Sequence, residues 1–187
     1  MTEVSSQTGT VERLTVDEVA SPRVKWLLAH WREKSLDRPY PDRRDLDPIE
    51  MKPVLPYLIL SEIRQDPLDV RFRLVGTACV AGAGYDYTDL SIRETGFAAE
   101  ADMWLDLYAE MIETAAPIFG ADYVITARGK PARYEFAMFP LSAGGPDIAQ
   151  CLSIEDFDSV GEDRFPEPRR NYAVERREIP SAGEPVL

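Results

Sequence analysis

Prolines at positions 53 and 56 stop whatever precedes Tyr57, and from there to Thr77 the chain is written as two strands. The second, Val70 to Thr77, sets Val70, Phe72 and Leu74 against Arg71 and Arg73, the two-residue alternation of a strand with one dry face and one wet face. The first, Tyr57 to Ile63, is apolar almost throughout and runs out at Gln65-Asp66-Pro67, which is turn chemistry. The pair predicts a hairpin with a loop of roughly six residues. Two strands alone are not stable in water, so the rest of the chain must supply more strands and a cover for the dry face.

It supplies both. Ser21-Pro22 combines an N-cap residue with proline at the first helical position, where its missing N-H costs nothing. Val24, Leu27, Leu28 and Trp31 then recur at helical spacing as one apolar stripe, with Arg23, Lys25, Arg32, Glu33 and Lys34 off it. The stripe must bury against the chain's own sheet or against a second copy. Arg38-Pro39-Tyr40-Pro41 breaks this helix, and Asp47-Pro48 opens a short helical turn. After Thr77, Gly82, Gly84 and Gly96 punctuate weakly helical pieces. The longest helical pattern, Phe97 to Ala116, carries Trp104, Leu105, Tyr108, Met111 and Ile112 on one face and ends at Pro117. Ile118 to Arg128, Ala132 to Pro140 and Ile148 to Phe157 read as three more strands. Short turns between neighbours imply antiparallel pairing, giving an α+β domain with a five-stranded antiparallel sheet covered by helices on one face, plus an N-terminal flanking helix. The expected organisation is a flexible leader over 1–16, the domain over 17–158, and a charged, partly ordered tail over 159–187.

Bulk composition removes several function classes. With 33 acidic against 21 basic side chains, the net charge of −12 repels phosphate backbones and anionic lipid, so no nucleic-acid or membrane partner is expected. The N-terminus lacks the apolar core of a signal peptide, and no run is long enough to span a bilayer, so a cytoplasmic location is expected. Cys79 and Cys151 stand apart from each other and from His30, the one histidine, and read as small buried hydrophobes. His30 itself reads as a helix-surface or interface residue, without the partners of a zinc site or a catalytic triad.

The element order, together with Ser21-Pro22-Arg23-Val24 and Trp31, Asp45-Leu46-Asp47-Pro48, Leu55-Pro56-Tyr57-Leu58 and Phe72-Arg73-Leu74-Val75-Gly76-Thr77, resembles the PAS superfamily. More narrowly it is similar to a family of short bacterial single-domain PAS proteins of mostly unassigned function. The resemblance covers Val19 to Asp158, and its motifs are structural rather than chemical. It implies a sheet that cups a small molecule against its helices or serves as a dimer and partner surface. It brings no catalytic motif, so the expected role is a non-enzymatic sensory module, homodimeric or bound to a signalling partner. No cofactor is expected: the sequence around Cys79 departs from the flavin photosensor pattern at nearly every position.

The expected ligand surface lies between the long helix and the inner face of the sheet. Trp104, Tyr108 and Met111 would form its lid, Phe72, Leu74, Tyr123, Phe136 and Ile154 its floor, and Thr77, Arg133 or Gln150 its polar contacts for a small apolar ligand. Val24, Leu27, Leu28 and Trp31 are the interface candidates. The acidic residues Asp102, Asp106, Glu110 and Glu113 read as a solvated helix face. A competing reading is a small isomerase or hydratase working through Asp86, Tyr108 or Tyr123; a third is a pure interaction adaptor.

Overall fold

The hairpin forms, but its turn is tighter than the sequence suggests: β2 (Leu58–Gln65) and β3 (Leu68–Val75) are joined by Asp66 and Pro67 alone. The computed structural model describes residues 11–125 and 131–157. With β1 (Glu12–Leu14), β4 (Ile118–Ile125), β5 (Pro131–Ser142) and β6 (Ile148–Asp156), the sheet runs in the order β1-β4-β5-β6-β2-β3, every neighbouring pair antiparallel. The helices are α1 (Pro22–Ser35), α2 (Thr77–Ala83) and α3 (Ala101–Thr114), the last preceded by a 3-10 turn at Ala98–Glu100.

Six strands replace the expected five. The sixth, β1, falls inside the stretch expected to be a loose leader. It pairs with the outer edge of β4, where backbone N-H and C=O groups would otherwise lack partners. Three residues are too few to show a period, so nothing in their pattern announces them. Arg13 bonds both carboxylate oxygens of Glu110 on α3, at 2.6 and 2.7 Å, and Glu12 accepts from Arg133 at 2.8 Å. The expected tail, 159–187, and residues 1–10 of the leader lie outside the described residues.

Helices cover both faces rather than one. Helix α1 lies on the face opposite α2 and α3, with Val24, Leu27, Leu28 and Trp31 buried against Ala137, Phe139, Leu141, Leu152 and Ile154 of β5 and β6. The Trp31 indole N-H donates to the Pro140 carbonyl at 3.0 Å. Each such side chain contributes about 1.5–3 kcal/mol through burial. The apolar stripe is therefore occupied by the chain's own sheet, and as it stands offers nothing to a second copy. Ser21 caps the helix, accepting from the Val24 N-H at 3.1 Å, and donates its hydroxyl to Asp156 on β6. Glu135 on β5 accepts from the Ala20 and Ser21 N-H groups, so the first turn of α1 is pinned to the sheet at its N-terminus. His30, expected at the surface, is 8% exposed and stacks on Trp26. Burial, and secondarily Lys34, pushes its pKa down.

The alternation read in β3 breaks at one residue. Ser61 pairs with Phe72 and Leu60 with Leu74, so Arg73 is extra, and this bulge turns Leu74 to the opposite face from Phe72. The turns between elements use the acids expected as caps. Asp42 accepts from the Arg44 backbone and guanidinium, from the Ser142 hydroxyl and from the Gly144 N-H, tying the loop after α1 to the β5–β6 connection.

Candidate functional site

A cavity of about 230 Å³ lies between the inner face of the sheet and the layer of α2 and α3. Residues Phe97, Glu100, Trp104 and Tyr108 close it on the α3 side, and Cys79, Gly82 and Ala83 on the α2 side, with Tyr87 and Ile92 from the connection between them. The sheet contributes Ile59, Phe72, Asp122, Tyr134, Phe136, Met138, Ser153 and Glu155, and Phe157 follows β6. That volume holds a small organic molecule rather than one or two waters. Ring packing shapes it: Trp104 meets Phe136 at 5.2 Å and 67°, Phe72 meets Tyr87 at 4.9 Å and 84°, and Tyr87 meets Phe97 at 5.4 Å and 88°. Gly120 makes room for the Phe136 ring, since a Cβ there would stand 2.5 Å from its Cζ.

Three carboxylates line this aromatic hollow, Glu100 exposed at its edge and Glu155 and Asp122 further in. Glu155 is enclosed by protein while remaining open to the cavity, and burial raises its pKa to about 7. The neighbouring Asp122 adds to the rise, and the Cys79 thiol, hydrogen-bonded to Glu155, opposes it. Burial likewise raises Asp122, which accepts from the Tyr123 N-H at 2.7 Å and from the Tyr134 hydroxyl at 3.3 Å. Cys79, Tyr87, Tyr108 and Tyr134 are all pushed up, first by burial, so they stay neutral. The Tyr108 hydroxyl shares a 3.0 Å hydrogen bond with Ser61. Among the described residues the cavity wall carries no lysine, arginine or histidine. Among the described residues no group of three or more His, Cys, Asp or Glu side chains is placed to hold a metal.

Of the residues singled out from sequence, Phe72, Trp104, Tyr108, Tyr123 and Phe136 line the cavity. Tyr123 does so only at the rim, 55% exposed. Met111 is fully buried in the same core but does not reach the hollow. The other candidates fall elsewhere. Leu74 is turned away by the bulge and 43% exposed. Thr77 is exposed at the start of α2. Arg133 pairs with Glu12 and Glu135. Ile154 packs in the α1 layer, and Gln150 shares its strand phase. Asp86 is spent on the Thr88 turn, accepting from its N-H and hydroxyl.

Glu155, Asp122, Tyr87, Tyr134 and Phe157 are residues that sequence reasoning passed over, and Cys79 was read only as a small buried hydrophobe. In β6 the residues from Cys151 to Ile154 are buried on both sides, so no wet and dry contrast reveals which phase points inward. The glutamate that closes that apolar run, just before Asp156, was the available signal.

An antiparallel sheet cupping a cavity beneath a helical layer defines a PAS-like α+β domain. The PAS domain family matches this chain over residues 19–152, and the chain belongs to that family. A search of curated proteins gave no match. Among solved structures the chain is similar to one described as an RNA-binding light-oxygen-voltage receptor, with a TM-score of 0.45 and 12% identity. That alignment covers 83% of this chain and 40% of the receptor chain. No helix among the described residues is long and apolar enough to cross a membrane.

Proposed function

We propose that this chain is a non-enzymatic sensory module that takes a small molecule into the cavity beneath Trp104 and passes the occupied state on by protein contact, to a second copy or to a signalling partner. The observation that carries this reading is the hollow itself: large side chains surround about 230 Å³ without filling it. Because α1 is docked on β5 and β6, which also wall the cavity, a change in sheet packing has a short path to the outer helix. Thermal-shift and native mass-spectrometric screening of the whole chain against small metabolites tests it. A stabilising ligand lost in Trp104→Ala supports the reading; a screen without hits, with Trp104→Phe and the wild type equally indifferent, overturns it.

A second reading is favoured by one observation. A carboxylic acid whose pKa burial raises to about 7 in a largely apolar hollow is the form an acid-base catalyst takes, with Glu155 rather than Asp86 as the working group. Turnover of a bound molecule, abolished in Glu155→Gln with binding retained, would select it.

A further inference from the structure

We propose that the cavity selects a small organic cation of the alkylammonium type, held by the Glu155 and Asp122 carboxylates against the surrounding aromatic rings. The inference rests on the ligand-binding reading above and narrows it. An apolar pocket for an apolar molecule has no use for two acids in its wall. Burying a carboxylate under an apolar ligand strips it of water and gives nothing in return. Here Glu155 and Asp122 line the hollow together, and among the described residues no cationic side chain lines it with them. Among the described residues neither acid forms a salt bridge, whereas Asp156 beside them is paired with Arg23.

The rings complete the chemistry. Trp104, Tyr87 and Phe72 line the cavity, and aromatic rings attract a cation over their faces most strongly where water is excluded. A bound ammonium would supply a counter-charge that none of the described wall residues provides. Its arrival would draw the proton off Glu155, so binding and ionisation are linked. The groups facing Glu155 are Cys79 from α2, Tyr87 from the following connection, Tyr108 from α3, Asp122 from β4 and Tyr134 from β5. Glu100 at the mouth is the remaining carboxylate in the wall. The thiol and phenols are neutral throughout the working range, so Glu155 dominates the response to pH.

Isothermal titration of the whole protein with choline and with its uncharged isostere 3,3-dimethyl-1-butanol, at pH 6 and pH 8, tests this. Choline is expected to bind about tenfold more tightly than the alcohol at pH 8, and about tenfold more tightly at pH 8 than at pH 6. In Glu155→Gln the preference for the cation shrinks and the pH dependence flattens; Asp122→Asn is a second variant should the first fold poorly. Equal or better binding of the alcohol with no pH dependence overturns the cation assignment and leaves a neutral-ligand pocket. Failure of both probes in the wild type, followed by failure of the wider amine and metabolite screen, removes the binding reading as well.

Discussion

Glu155 connects the electrostatics of one side chain to the stability of the whole chain. Because burial holds its acid above the ordinary 4.5, at about 7, the folded state binds this proton more tightly than the unfolded state does. Its contribution is therefore fully present below the unfolded value and is lost as pH rises through the interval up to about 7, with a slope of about 1 kcal/mol per pH unit. His30 works the other way, since its pKa is lowered and the folded state gives up that proton more readily. Urea titrations of wild type and Glu155→Gln between pH 5 and 8 isolate the acid: the difference in stability should move in favour of the glutamine variant as pH rises. A pH-independent difference would mean that Glu155 is hydrated in solution. Gly76 makes a purely steric prediction. A Cβ there would lie 2.3 Å from the Pro56 carbonyl oxygen, a backbone atom that cannot swing aside, so Gly76→Ala should cost at least about 2 kcal/mol by urea unfolding.

Among the elements, α1 shows most plainly what a periodic stripe does and does not specify. The cap at Ser21, the proline after it and the spacing of Val24, Leu27, Leu28 and Trp31 all mark a helix with one face to bury, and the helix ends at Ser35. Which surface receives that face is a separate matter, decided by Glu135 and Asp156 holding its first turn and by Phe139 meeting Trp31 at 5.9 Å. Trp31→Ala should lower stability by about 3–5 kcal/mol, as for a large ring removed from a core, and should leave the molar mass seen by sedimentation unchanged. A variant that instead lost a dimer at little cost in stability would place the stripe at an intermolecular contact. In β3 the same lesson has a smaller cause: one extra residue at Arg73 reverses the direction of Leu74 and removes it from the cavity floor.

At the scale of the whole molecule, the sheet is closed on both faces and extended at one edge. Strand β1 adds little buried surface, and its ion pairs with Glu110 and Arg133 are largely exposed, where such pairs are worth about 0–1 kcal/mol each. A chain lacking residues 1–14 should therefore lose only about 1–2 kcal/mol by urea unfolding, while the near-ultraviolet signal of the buried rings persists. Loss of that signal would make the added strand part of the cooperative core. The amino-acid order by itself determined the succession of helix, two strands, helical middle and three strands, because caps, prolines and apolar spacing act between residues close along the chain. It also placed Phe72, Trp104, Tyr108 and Phe136 in one site, since large rings on opposed elements have one interior to share. Only tertiary structure decided that α1 takes the far face, that Glu155 and Asp122 meet in the hollow, and that Leu74, Arg133 and Gln150 stay out of it. Those outcomes depend on strand phase and on pairings between distant segments. A strand buried on both sides carries no alternation from which its phase can be read.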